Sequence, residues 1–579
     1  MITLNNINLS SIDLSGIDLR GIKLGLGGRG GGSGDGFPVL PGDVTRWYFG
    51  GLTNEMMAAM DDPRIEDADH KGRFLSFKNF AWKGMSGVNG YVQNFNNFKN
   101  NATVDKVRID EQSSNSIKVT ILTTGISNAI YIPKNIYQFN KSYSIKISSE
   151  GYNEGDLSLS FYTSSVSTAT TVKVPLNPNG ITEIPAIKED DFLAVYLFNA
   201  AGKVGSITIE QLPLYPGFIL GDGVDDFAVT EKELNFEDTY TVYTAFIPFQ
   251  VDPIRAMEMC GKDFKKDFYL YYSNTHVVYY TSGLNNYIPV RINQFHIIVC
   301  KRNKTNAVIK NLITGESKTF SVSELIDNPG VYFLWRYQRS GTSTAKTAIA
   351  GQTICNGYFS TDEDDEKVLD WYKKQMPWLF PDQAWTVTGK TNEDEDRATI
   401  ANITGNGNDL ILSNFGFAEG SGYNEEGEYA GYLVTDGVDD KITSSDFKMG
   451  KDFTIVGDWK FIIDENKGCG LVKVPKLYIY NSKTGLDIYI NSNSIKNILS
   501  GIKGLNAVCS DGRVYDCNWN EISVKYGNMV DINSSFLIAN SGNIFTKMAF
   551  KNLGIYNNQL LSKDDCIKAY NYLQTLKAK

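Results

Sequence analysis

Residues 219–229 read ILGDGVDDFAV, and residues 433–443 read LVTDGVDDKIT. Each sets the same word, Asp-Gly-Val-Asp-Asp, between two apolar runs too short to make a helix. Asp-Gly is turn chemistry: the Asp side chain accepts from nearby backbone N–H groups, and Gly takes up positive φ without a steric cost. The stretch therefore predicts two strands joined by a tight turn, twice in one chain.

Working outward, the repeat enlarges. WYFGGLTNE from Trp47 and WTVTGKTNE from Trp385 share the pattern W-x3-G-x-T-N-E without a gap. FLSFKNFAWKGMSGVNGY, ending at Tyr91, parallels LILSNFGFAEGSGY, ending at Tyr423; each is an alternating strand running into a Gly-rich turn. Each DGVDD word is followed by a strand-like run, DTYTVYTAFIPF in one copy and KDFTIVGDWKFI in the other. Each copy then closes on a short strand, a Ser/Thr cap, acidic residues and an amphipathic helix: GYFSTDEDDEKVLDWYKKQ from Gly357, GIYNNQLLSKDDCIKAYNYLQ from Gly554. The order is the same in both copies, but the interval before DGVDD is far longer in the first. Residues 96–212 are the excess. They read as short strands such as IKVTILTT, YSIKISS and GSITIEQL, joined by Asn/Gly/Ser turns, and predict a smaller β-sandwich or jelly roll set into a surface loop.

The shared word between strands, with the closing strand–helix element, resembles the laminin-G/concanavalin A-like superfamily. The resemblance implies a mainly β fold: two concanavalin A-like sandwiches, residues 45–95 with 213–382 and residues 383–579, the first interrupted by residues 96–212, which resemble a carbohydrate-binding-module jelly roll. The KNFAWKGMSG phrase together with DGVDD also resembles virion proteins of phages that infect gut Bacteroidales, crAss-like phages among them.

Composition excludes several functions. The chain has 579 residues, a formal charge of −10 and no run of basic residues, which argues against nucleic acid and anionic membrane as partners. No stretch reaches the roughly 18 apolar residues of a membrane span. Seven cysteines at 260, 300, 355, 469, 509, 517 and 566 form no CxxC pair and read as free thiols. His70, His276 and His296 are the three histidines, scattered and outside any HExxH pattern, so imidazole-based catalysis has no support. A glycosidase on a concanavalin A-like fold implies an E-x-D-x-(x)-E strand, which the sequence lacks. The acidic runs 361–367 and 392–397 read as helix starts and solvated turns.

Two readings stand open for Asp222, Asp225 and Asp226 and for Asp436, Asp439 and Asp440. They are turn formers, or they gather hard oxygens for calcium at a strand end. The aromatic stretch 269–287, YLYYSNTHVVYYTSGLNNY, alternates in part, so that some of its rings fill a core and others could stack on sugars.

The N-terminus carries a different pattern. Residues 2–26 fall into the words ITLNN, INLSS, IDLSG, IDLRG and IKLGL, with Ile2, Ile7, Ile12, Ile17 and Ile22 alternating with Leu4, Leu9, Leu14, Leu19 and Leu24. They resemble the pentapeptide-repeat β-helix. One coil of such a helix cannot bury its own Ile and Leu, so residues 1–26 read as an assembly anchor completed by other chains. A Gly-rich tether, 27–44, follows. Anchor, tether and outlying sandwiches suit a non-enzymatic phage head fibre or tail-associated fibre. The expectation is a chain folded in the host cytoplasm and exposed on the virion, attached to capsid or tail proteins. It is expected to be a homotrimer and to contact host or mucus glycans. A secreted or surface lectin of a gut bacterium is the alternative, with a glycoside hydrolase behind it. The first residues lack the pattern of an export signal.

Overall fold

The computed structural model describes residues 36–578, except 127, 164–171, 190–191, 200–201, 235, 250–254, 261–267, 274, 282–283, 324–330, 336–344, 463–468, 475–476, 483–484, 491–492, 496–503, 524–531, 539, 542–543 and 546. The anchor residues, Ile2 to Leu24, lie outside them. The described chain is nearly all antiparallel strand, with three α-helices: α1 (Asn54–Ala58), α2 (Asp362–Gln375) and α3 (Lys563–Thr575). No helix among the described residues is long and apolar enough to cross a membrane.

The two DGVDD words lie at the same place in two copies of one β-sandwich. In the first copy one eight-stranded sheet runs Gly87–Val88, Ile219–Asp222, Lys346–Asn356, Tyr240–Pro248, His296–Arg302, Asn306–Asn311 and Ser317–Ser321. Asp43–Tyr48 also pairs with Lys346–Asn356. The second copy repeats this order as Gly422–Asn424, Tyr432–Val434, Met548–Asn557, Phe453–Phe461, Gly504–Cys509, Arg513–Asp516 and Glu521–Ser523, with Gln383–Thr386 on Met548–Asn557. The facing eight-stranded sheets correspond in the same way.

Strand character follows burial. Tyr240–Pro248 is buried along its whole length because it is covered on both faces. Tyr240, Val242 and Phe246 fill the sandwich interior, whereas Tyr243, Ala245 and Ile247 join the apolar cluster that holds α2. Ser116–Ile121 alternates strictly, with Ile117, Val119 and Ile121 inward.

Between the paired strands Gly87–Val88 and Ile219–Asp222 the chain leaves the first copy and builds two five-stranded sheets around their own core, including Ile117, Val119, Leu159 and Val195. The corresponding strands of the second copy, Gly422–Asn424 and Tyr432–Val434, are joined directly by residues 425–431.

Both closing helices start as their caps dictate. Thr361 and Asp364 form a capping box on α2, and Ser562 accepts from Asp565 N on α3. The acidic run 361–367 is thus the start of α2. Asp365 is buried, where it pairs with Lys301 at 2.7 Å and accepts from Tyr243 OH at 3.0 Å.

The expected tether ends early. From Phe37 the chain lies against α2: the Phe37 ring meets Trp371 edge-on at 5.0 Å, Leu40 is buried, and the first strand begins at Asp43. Phe37 and Leu40 join the apolar cluster that holds α2, so residues 37–44 belong to the first sandwich.

Candidate functional site

The structure brings Asp222, Asp225 and Asp226 together, and likewise Asp436, Asp439 and Asp440; in each trio carboxylate oxygens lie within 4.8 Å of one another. Their hydrogen bonds are those of a turn. Asp222 Oδ1 accepts from Val224 N at 2.7 Å, and Asp226 Oδ2 accepts from Asp222 N at 2.9 Å. In the second copy Asp436 Oδ1 accepts from Val438 N at 2.7 Å and Asp440 Oδ2 from Asp436 N at 2.7 Å. Gly223 and Gly437 have φ of +81° and +75°, and a Cβ there would press on Lys346 and Lys547. Asn79 and Asn414 bind the carbonyls of Asp225 and Asp439 at 3.1 Å each, tying the turn to the preceding Gly-rich loop.

Asp440 Oδ1 accepts from Ser421 Oγ at 3.0 Å, and the matched Ser86 stands beside Asp226. Burial pushes Asp226 up to about 7 and Asp440 up to about 6. Calcium takes about six to eight oxygens. Each turn offers three carboxylates, two of which already accept backbone N–H groups.

The T-N-E phrase serves the same loop. Asn54 brackets Val88, accepting from its N–H at 2.7 Å and donating to its carbonyl at 3.3 Å. Asn392 does the same for Tyr423, at 2.8 Å on both sides. This equivalence corrects the alignment read from the sequence: Tyr423 corresponds to Val88, not to Tyr91. The matched Ser-Gly pairs, Ser86-Gly87 and Ser421-Gly422, set the register, because Gly alone leaves room for the asparagine amide beside it.

Imidazole chemistry gains no support from His296. It is buried, with Nε2 against the Arg291 backbone and Nδ1 bonded to Asn311; burial pushes it down to about 4, so it is neutral.

The aromatic stretch 269–287 divides by strand parity. Tyr272 and Tyr279 are 1% and 0% exposed and fill the sandwich. Tyr271, Tyr280 and Tyr287 lie on the opposite face, with Tyr287 53% exposed and Tyr271 OH bonded to Asn285 at 3.1 Å.

A second aromatic face escaped the sequence reading. In the inserted module Tyr131, Tyr162 and Tyr196 come from three adjacent strands, Asn128–Pro133, Leu157–Thr163 and Phe192–Asn199. Tyr131 pairs across the ladder with Tyr196, and Tyr162 with Ala194. Their neighbours Ile130, Ile132, Phe161, Val195 and Leu197 point into the core, so the three rings share the outer face, half-exposed. Tyr131 and Tyr196 stack at 5.8 Å, and Tyr162 meets Tyr196 edge-on at 5.2 Å. The signal was a single Tyr in each strand, within IYI, FYT and VYL.

The other sheet of this module faces the opposite way and is docked. Ser144 Oγ bonds Asn571 of α3 at 3.1 Å, and Glu183 accepts from Tyr570 OH at 2.6 Å. The tyrosine face therefore points away from the rest of the molecule.

No family model matches the chain, and no curated protein matches it. Among solved structures it is similar to the CBM40 of a Ruminococcus gnavus IT-sialidase, solved with alpha2,3 sialyllactose: 14% identity, TM-score 0.19, covering 26% of this chain and 96% of that chain. The botulinum neurotoxin serotype D binding domain matches at 10% identity and TM-score 0.26, over 60% of this chain and 89% of that one. The enzymatically active domain of Bacteriophage CBA120 tailspike protein 2 matches at 12% identity and TM-score 0.19, over 27% of this chain and 28% of that one. Likeness at this level carries no conclusion about activity.

Proposed function

We propose that this chain is a non-enzymatic adhesion protein of a phage particle, a head fibre or tail-associated fibre, that holds sugar-binding β-sandwiches out toward host or mucus glycans. The observation that carries the adhesion reading is the outward face of Tyr131, Tyr162 and Tyr196. Aromatic rings offer apolar faces on which the C–H faces of pyranose rings can lie, while phenol hydroxyls bond sugar hydroxyls. Half-exposed tyrosines clustered on a face turned away from the docked sheet suit a ligand from solution better than a packing role.

The virion assignment rests on the sequence. Residues 1–26 supply Ile and Leu that need a partner, and the chain is a homotrimer on the particle by the threefold habit of fibres, attached to capsid or tail protein through these residues. The experiment has two arms. The purified chain is applied to a glycan array, and a chain lacking residues 1–26 is tested for incorporation into particles. Binding to at least one glycan class and loss of incorporation are expected. An array without signal removes the adhesion role, and normal incorporation removes the anchor.

A further inference from the structure

Docking of the inserted module on the second sandwich leaves a cleft of about 420 Å³ between them. One wall is the outer face of Tyr143–Glu150 with the turn before Ile181; the other is Asn518, Trp519 and Asn520 with one face of α3. Trp519 and Ile181, both buried, line its apolar part. Lys146, Lys563 and Lys568 stand around it against a single carboxylate among its lining residues, Asp564.

We propose that this cleft binds an acidic sugar unit, a carboxylated or sulfated monosaccharide at the end of a glycan. The proposal rests on the adhesion reading and names a second, chemically distinct subsite for it. Three observations carry it. First, the volume lies in the range of small-ligand sites, at a boundary between modules where such sites concentrate. Second, the chain carries a net charge of −10, yet the three ammonium groups at the cleft outnumber Asp564 and the Asp565 that pairs with Lys568, so its local field favours an anion. Lys568 shares its charge with Asp565 at 3.1 Å; Lys563 lies over the Tyr515 ring at 5.8 Å and, like Lys146, pairs with no carboxylate among the described residues. Third, the turn that presents Trp519 is built for presentation. Asp516 Oδ1 accepts from Asn518 N and from Asn520 N, both at 2.8 Å, and Oδ2 accepts from Asn520 Nδ2 at 3.0 Å. These bonds hold Trp519 at a φ of +62°, a conformation a bulky side chain adopts only where its surroundings impose it, and one that gathers at ligand sites. The indole is fixed by Tyr515 and Tyr570 at 5.9 and 5.6 Å, so its position is set before a ligand arrives. Amides of Asn179, Asn518 and Asn571 reach the same space and match sugar hydroxyls as donors and acceptors.

The test uses the full chain and three probes: glucuronate-terminated oligosaccharides, sulfated oligosaccharides and their neutral parents, with free sulfate as competitor. The wild type is expected to bind one acidic class about tenfold or more tighter than its neutral parent, with an affinity that falls as salt rises. The double variant Lys563→Gln, Lys568→Gln is expected to lose that preference and keep the affinity for neutral glycans. These lysines are exposed or half-exposed, so the fold tolerates the change; an unchanged melting temperature checks this. Equal binding of acidic and neutral probes, a double variant that matches the wild type, or full displacement by millimolar free sulfate each overturns the cleft while leaving the tyrosine-face reading intact. A wild type that binds no glycan overturns both.

Discussion

The two sandwiches share strand order, turn chemistry and a closing helix, and differ in what one hairpin carries. In the second copy residues 425–431 join the paired strands Gly422–Asn424 and Tyr432–Val434. In the first, the corresponding strands, Gly87–Val88 and Ile219–Asp222, are the two ends of the inserted module. Because those strands already pair, their ends are close, and a module can be set between them without moving the ladder. The closing helices diverge as a consequence. Helix α2 packs on its own sandwich, through Trp371, Tyr372 and the buried Asp365–Lys301 pair. Helix α3 packs on its own sandwich and on both other modules, through Phe295 N to Tyr572 OH at 3.0 Å, Ser144 to Asn571 and Glu183 to Tyr570. One helix design thus serves as a local lid in one copy and as a joint between three modules in the other.

Breaking the joint has the largest expected effect. Tyr570→Ala removes a buried ring that touches Trp519 and the hydroxyl that bonds Glu183, and costs about 3–5 kcal/mol. Calorimetry of this variant should resolve separate module transitions, whereas Trp371→Ala in α2 should lower only the transition of the first sandwich. A single unaltered transition for Tyr570→Ala would deny α3 its joining role.

The bracketing asparagines sharpen the comparison at the next level. Asn54 is 4% exposed and Asn392 is half-buried. Replacement by Ala strands a strand N–H and carbonyl in each case, at about 2 kcal/mol for Asn54 and about 1 kcal/mol for Asn392. Equal losses in denaturant titrations would contradict the burial argument.

Next come the turns themselves. Burial raises Asp226 to about 7, above its ordinary carboxylate value, so the folded state holds this proton more tightly than the unfolded state. Stability from this group is therefore complete below about pH 4 and is lost as pH rises through about 7. Asp226→Asn should stabilise the chain by about 1–2 kcal/mol at pH 8 and leave it unchanged near pH 4. Asp440→Asn should gain less, because its raised value is lower, about 6. Melting curves at the two pH values check both; destabilisation of Asp226→Asn at pH 8 would show that the ionised carboxylate has a partner, a cation included.

The smallest effect belongs to the turn tips. Val224 and Val438 are 69% and 66% exposed, and Val→Ser at either should change stability by less than about 0.5 kcal/mol.

What could be read from the sequence was local. DGVDD, T-N-E and the Ser/Thr caps each act within a few residues of themselves or through one nearby loop, so their residue types recur in order and both copies announce the mainly β fold. The tyrosine face was illegible because Tyr131, Tyr162 and Tyr196 meet only through strand pairing over long separations, and each strand alone contributes a single Tyr. Tyr91 and Tyr423 each end a similar phrase yet are not equivalent, because the register is set by a Gly beside an asparagine amide, Gly87 by Asn54 and Gly422 by Asn392. The cleft around Trp519 arises from docking between modules, and no window of sequence contains it.

The central claim is that the inserted module's tyrosine face holds sugar. The most direct measurement is titration of glycans identified on an array into the full chain and into the triple variant Tyr131→Ala, Tyr162→Ala, Tyr196→Ala, with the variant's melting temperature followed in parallel. The rings pack outside the core, so the variant should remain folded and lose neutral-glycan affinity by about tenfold or more. A folded variant that binds neutral glycans as tightly as the wild type would contradict the account.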